Sequence, residues 1–280
     1  MNTLTLQAPA KLNLTLRVLG KRADGFHEID TLMVKLPGLT DQLEFRQHTG
    51  FSFHCDDPEI PGDESNLVVK AVRAYETAAG IACNCAITLK KSIPHGAGLG
   101  GGSSDAATTL LGLDQLHDGR LGAARLMEIA ASLGSDIPFF MASGTARCKG
   151  RGEIIDAVTQ APPALRVLIL KPNFAVPTSD AYTRWSDSHN LPGVSDAPQK
   201  IDGISLVNDL ERPVFAKHRF LAELKLWLLD RRETLAALLC GSGSATFAVL
   251  QPDADPEALA KCARHELDAG LWQWVGSTGA

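Results

Sequence analysis

Apolar residues along the chain switch between two spacings, and each switch marks an element. Leu12, Leu14, Leu16 and Val18 occupy every second position, which is strand spacing, and leave Lys11, Asn13, Thr15 and Arg17 together on the other face. Cys85, Ile87 and Leu89 alternate with Ala86, Thr88 and Lys90 in the same way. After a glycine-rich stretch, Ala107, Leu110 and Leu111 recur at helical spacing, with Ser104 or Asp105 as the predicted N-cap. Leu126, Ile129, Ala130 and Leu133 predict a second helix, which Gly134 closes. Ser65 is a predicted cap for a helix that begins at Asn66. In the second half, apolar runs from Leu165 to Leu170 and at Phe247 and Val249 read as strands. Helices are expected around Phe220, Leu224, Trp227 and Leu228, and around Leu259, Cys262, Ala263 and Leu267. The pattern predicts both strands and helices. The Pro-rich stretch Ala161, Pro162, Pro163 places a boundary near Asp156, giving lobes 1–156 and 157–280.

The stretch between the strand at Cys85 and the helix at Ala107 carries the sharpest chemical signal. It reads Pro94, His95, Gly96, Ala97, Gly98, Leu99, Gly100, Gly101, Gly102, Ser103, Ser104. Glycines permit positive φ and let several N–H groups converge, so strand, loop and helix start together form a phosphate cradle. A Walker A loop is excluded, because Gly102 is followed by Ser103 and Ser104 with no Lys. Gly96, Gly98 and Gly101 satisfy a dinucleotide fingerprint, but the next element reads as a helix and not a strand, which weakens that match.

Three further constellations surround this loop in sequence. Lys11 and Asn13 share a strand face, either as a solvated edge or as part of a site. Asp136 stands between a helix stop and the apolar run Ile137, Pro138, Phe139, Phe140, where it is either an N-cap or a carboxylate held for chemistry. Gly241, Ser242, Gly243 and Ser244 form either a tight turn or a second set of backbone donors.

In this order the elements resemble the GHMP kinases, the superfamily of galacto-, homoserine, mevalonate and phosphomevalonate kinases. The likeness rests on PAKLNL from Pro9 to Leu14, on PHGAGLGGGSSDAA from Pro94 to Ala107, and on GSGSATF from Gly241 to Phe247. RADGFHEIDTL from Arg22 to Leu32 and LGSDIPFF from Leu133 to Phe140 look like the branch whose acceptor is a cytidine diphosphate-linked methylerythritol. The resemblance implies an α+β, two-lobed fold, with an N-terminal lobe like domain 2 of ribosomal protein S5 and a ferredoxin-like C-terminal lobe. It implies ATP and Mg²⁺ as cofactors, Asp136 as the group that takes the acceptor's proton, and Lys11 as its paired cation. Asn66 and Lys91 fall at positions near the adenine and phosphate ends of ATP. Phe26 and His27 match an element that recognises cytosine, Thr178 lies in a matching Pro-Thr segment, and Tyr182 would close the other side of the base. Asn13, Gly241, Ser242 and Gly243 complete the acceptor side. No acidic Mg²⁺ ligand stands out. Asp105 departs from the pattern beside the loop, and Phe26 keeps a stacking face where Tyr is commoner. Mevalonate and homoserine kinases are the competing readings within the superfamily. A catalytically silent nucleotide binder and a dehydrogenase are the competing readings outside it.

Composition narrows the partners. With 27 Lys and Arg against 32 Asp and Glu, the net charge is −5, and the basic residues are dispersed, which argues against a nucleic-acid partner. No apolar run reaches the roughly 20 residues of a membrane span, so no membrane partner is expected. Six cysteines without paired metal spacing, and no secretory leader pattern, are expected of reduced thiols in a cytoplasmic protein. A small-molecule substrate is the expected partner, and oligomeric state is not legible.

Overall fold

The computed structural model describes residues 3–158 and 161–279. In chain order the elements are β1 (Thr3–Lys21), β2 (His27–Gln47), β3 (Ser52–Cys55), α1 (Leu67–Ala79), β4 (Cys85–Lys90), α2 (Gly101–Leu116), α3 (Gly122–Leu133), α4 (Ile137–Met141), β5 (Ala146–Gly150) and β6 (Ile154–Ala157). There follow β7 (Arg166–Lys171), α5 (Thr178–Trp185), β8 (Gln199–Ile201), β9 (Ile204–Asn208), α6 (Glu211–Lys217), α7 (Arg219–Leu229), β10 (Thr234–Leu239), β11 (Thr246–Leu250), α8 (Pro256–Glu266) and β12 (Trp272–Ser277).

Among the described residues these strands form two sheets. The larger has the order β3-β4-β2-β1-β9-β8, with β5 on β2 and β6 on β5; the smaller has the order β10-β11-β7-β12. All pairings in the smaller sheet are antiparallel, and α7 and α8 lie in its two crossovers, which is the ferredoxin-like arrangement implied by the resemblance. The β8–β9 hairpin, on the C-terminal side of Asp156, joins the larger sheet through parallel pairing of Thr15 with Val207.

Alternation along β1 decides where the cores sit. Leu12 and Leu14 join Val34 and Leu36 of β2 against Val167, Ile169, Leu238 and Phe247, so one core fills the space between the two sheets. On the opposite face of the larger sheet, Leu43, Phe45, Ile87 and Leu89 meet Val72 and Tyr75 of α1, Leu110 and Leu113 of α2, and Phe139 of α4. Lys11 and Asn13 are out of phase with Leu12 and Leu14, yet they are only 4% and 2% exposed. The solvated-edge reading of that face is therefore overturned: β1 lies between β2 and β9, and the cleft-forming elements cover its polar face.

Local chemistry moves several predicted boundaries. Helix α2 begins at Gly101 with Gly100 as its N-cap in the left-handed region, at φ 73°, so Ser104 and Asp105 lie inside the helix and do not cap it. The glycines themselves form the first turn, and Gly101 packs tightly there: a Cβ would sit 3.1 Å from Ile93, so a larger residue would require the neighbour to give. Asn66, not Ser65, caps α1, its Oδ1 accepting from the Val68 amide at 2.8 Å. Leu111, read as part of the apolar face of α2, is 41% exposed. Gly134 ends α3 in extended backbone, at φ −179°, so its position needs no left-handed turn.

Candidate active site

The glycine loop and the late turn are built against each other. Ser244 donates its amide to the Gly96 carbonyl at 3.0 Å, Ala245 donates to Ala97 at 3.2 Å, and Lys11 of β1 donates its amide to Leu99 at 3.0 Å. The approach at Gly98 is closer still, since a Cβ there would lie 1.8 Å from the Cys240 carbonyl oxygen. Gly98 also sits at φ +75°, so both space and backbone conformation require glycine. The amides at the start of α2, which have no intrahelical partners, are thereby held at the rim of a cleft of about 800 Å³.

Pro94 to Ser103 line this cleft together with Asn66, Lys91, Lys11, Asn13, Asp136, Phe26, His27, Thr178, Tyr182, Gly241 and Ser242. Two expected site residues do not line it. Ser104 is fully buried, because its position within α2 turns it toward the core, and Gly243 lies behind the late turn, packed toward Leu239 and Leu221.

At the cleft floor, Lys11 Nζ lies 3.7 Å from Asp136 Oδ2 and donates to Asn13 Oδ1 at 2.6 Å. Asn13 in turn donates to Thr31 Oγ1 at 2.8 Å, and Thr31 donates to the Thr15 carbonyl at 2.5 Å, so the lysine is oriented by a chain that ends on the sheet backbone. Asp136 occupies the residue before α4 but makes no side-chain capping bond, which rejects the N-cap reading. Its carboxylate is 32% exposed, beside a nearly buried ammonium. Lys35 donates to the Phe140 and Ala142 carbonyls at 3.0 and 2.6 Å and so ties the far end of α4 to the sheet. Burial holds the Lys35 ammonium below its ordinary pKa.

The aromatic side of the cleft differs in detail from a simple sandwich. Tyr182 lies over His27, with ring centroids 5.3 Å apart, and Trp185 meets His27 edge-on at 5.9 Å. Phe26 is 49% exposed and carries the Arg151 guanidinium 4.7 Å from its ring centroid. Burial, aided by Lys21, pulls His27 below its ordinary pKa, which favours the neutral ring; its Nε2 is buried without a hydrogen-bond partner. Thr178 and Ser242 share a hydroxyl–hydroxyl bond at 2.9 Å, so the start of α5 and the late turn meet directly.

Lys91 does not stand free for a phosphate. It donates to Asp41 and, at 2.9 Å, to Asp105. Burial opposes its charge, but Asp105 and Asp41 outweigh that effect and hold its pKa above the ordinary value. Burial pushes Asp105 up to about 7 against the pull of Lys91. Asn66 is likewise engaged, capping α1 and donating to the Pro61 carbonyl at 2.7 Å. Sequence reading missed Asp41, which acts 50 residues away from Lys91, and Arg151. It also missed Asn208, which holds the Leu239 and Gly241 carbonyls at 2.9 and 2.7 Å and fixes the late turn. Only Asn208 has a local signal, an amide directly after the apolar pair Leu206 and Val207.

Among the described residues no cluster of three or more His, Cys, Asp or Glu side chains is suited to a metal ion. The donors present at the cleft are few. They fit a Mg²⁺ ion carried on nucleotide phosphates, which needs only one or two protein oxygens such as the Ser103 hydroxyl at the cleft.

A glycine loop and an adjacent Lys–Asp pair on one cleft are the arrangement that the resemblance to the GHMP kinases implies, and the comparisons place the chain in that class of small-molecule kinases. The sequence pattern of the GHMP kinases N terminal domain matches residues 66–144. The chain is 37% identical to the 4-diphosphocytidyl-2-C-methyl-D-erythritol kinase of Methylacidiphilum infernorum (isolate V4), over 95% of its own length and 93% of the relative's. A crystal structure of 4-(cytidine 5'-diphospho)-2C-methyl-D-erythritol kinase superposes with a TM-score of 0.77 at 32% identity, covering 99% of this chain and 100% of that one. Homoserine kinase from Cytophaga hutchinsonii shares the fold at a TM-score of 0.69 and 17% identity, covering 100% of this chain and 96% of its own. The chain belongs to the 4-diphosphocytidyl-2-C-methyl-D-erythritol kinase family.

Proposed function

We propose that the protein transfers the γ-phosphate of ATP to the 2-hydroxyl of 4-diphosphocytidyl-2-C-methyl-D-erythritol, giving the 2-phosphate and ADP in non-mevalonate isoprenoid precursor synthesis. The observation that carries this reading is the placement of the phosphate cradle, the Lys11–Asp136 pair and the Phe26, His27, Tyr182 group on one continuous cleft. The cradle amides bind the ATP phosphates. Asp136 accepts the proton of the acceptor hydroxyl as its oxygen bonds to the γ-phosphorus, and the bond from that phosphorus to the β,γ-bridging oxygen breaks to release ADP. Lys11, oriented by Asn13, offsets the negative charge that passes between the acceptor oxygen and the phosphoryl group. Ser103, at the cleft, would offer an oxygen to a Mg²⁺ ion on the nucleotide, which would supply charge neutralisation when bound.

His27 is the specificity element. The residue lines the cleft beside Phe26, so its imidazole is placed to pair with a base edge while Phe26 offers an exposed ring for stacking. Galactose, homoserine or mevalonate brings neither a base edge for His27 nor a ring for Phe26.

The test is ADP release with Mg²⁺ and ATP, comparing 4-diphosphocytidyl-2-C-methyl-D-erythritol with mevalonate, homoserine and galactose. Turnover confined to the cytidine compound is expected. Equal turnover with an acceptor lacking cytidine would overturn the specificity assignment while retaining the kinase.

A further inference from the structure

The glycine loop leaves β4 and enters α2, and a single buried charge cluster grips both of these ends. On the entry side, Asp41 of β2 accepts the Ser92 and Ile93 amides through Oδ1, at 2.6 and 2.8 Å. Its other oxygen accepts from Lys91, the residue immediately after β4. On the exit side, Lys91 donates to Asp105, inside α2, at 2.9 Å. The side chains of Lys91, Asp41 and Asp105 are 9%, 0% and 3% exposed. A Cβ at Gly101 would stand 3.3 Å from Lys91 Nζ, so the ammonium lies directly beneath the first residue of α2.

We propose that Asp41, Lys91 and Asp105 form a clamp that sets the distance between the two ends of the phosphate loop, making them positioning residues for ATP. Lys91 acts through the loop backbone. Moving its ammonium to a phosphate would take from buried Asp41 its counter-charge and from buried Asp105 its hydrogen-bond donor. Asp41 does not line the cleft, so any effect of altering it on ATP passes through the loop. The assignment rests on the proposed ATP-binding role of the loop.

Asp41→Asn keeps an oxygen for the Ser92 and Ile93 amides and removes one charge from the cluster. Expected are faster amide exchange across residues 92–104 in the nucleotide-free protein and a Kd for ATP raised about tenfold. The acceptor KM should hold, and exchange in the smaller sheet should be unaltered. Lys91→Met should show the same pair of changes, and combining the two should cost less than the sum of the single effects. Asp105→Asn supplies the comparison from the exit side if Asp41→Asn does not fold. Wild-type loop exchange and wild-type ATP affinity in Asp41→Asn would overturn the clamp, as would Lys91→Met losing ATP affinity with loop exchange unaltered. Absence of ATP binding by the wild type would instead reject the nucleotide reading, while the exchange comparison would still decide the clamp.

Discussion

The half of the cleft proposed for the nucleotide comes largely from one stretch, Ile93 to Ser103, joined by Asn66 and Lys91, whereas the half proposed for the acceptor draws on distant parts of the chain. Asn13 comes from β1, Phe26 from the turn before β2, Thr178 and Tyr182 from α5, and Ser242 from the turn before β11. The first half works through backbone N–H groups, so its determinants are absences of side chains. The second works through side chains, and each depends on packing that brings its element to the cleft. The two halves meet at Lys11, whose amide bonds the glycine loop at Leu99 while its ammonium stands beside Asp136 and Asn13. A contiguous backbone device tolerates little substitution at its closest approaches. A side-chain assembly should lose affinity in separate increments.

The sharpest way to break this contrast is Gly98→Ala. The added methyl meets the Cys240 carbonyl at 1.8 Å and sits on a residue at φ +75°, so the loop must separate from the late turn. A loss of about 2–4 kcal/mol is expected, read as a lower melting temperature together with a raised Kd for ATP. On the acceptor side, Phe26→Ala removes one half-exposed stacking face. It should raise the acceptor KM by about tenfold, corresponding to ~1.4 kcal/mol, with the KM for ATP unchanged in steady-state kinetics. The smallest effect concerns protonation. Burial lowers the pKa of His27 from its ordinary 6.5, so the neutral ring persists as pH falls through that value. The acceptor KM should therefore stay flat between about pH 8 and about pH 6.5. A KM that rises with a midpoint near 6.5 would contradict the assigned environment.

The same contrast governs what the sequence discloses. The strand at Cys85, the glycine loop and the helix through Leu110 are legible because spacing changes from two to 3.6 on either side of a run that can be little else. The helix start is misplaced because capping rules favour Ser104 or Asp105, while here the glycines form the first turn under tertiary contact with Ile93. Burial of Lys11 and Asn13 is not legible from alternation, which marks their face as polar but says nothing of what covers it. Asp41, Arg151 and Asn208 carry no motif. Their roles arise from contacts with Lys91, Phe26 and the late turn that form only on folding. The aromatic set is legible by resemblance, yet the Tyr182–His27 contact depends on how α5 docks beside β2.

The central claim is that the Lys11–Asp136 pair is where the two halves of the cleft exchange charge, and Asp136→Asn tests it most directly. The substitution preserves shape and makes no demand on a cap, since Asp136 makes no capping bond. Measured together, kcat with the cytidine acceptor should fall by about 10²–10⁴-fold while ATP binds with wild-type affinity. Unchanged kcat, or a loss of turnover explained wholly by weakened ATP binding, would contradict the assigned proton acceptor.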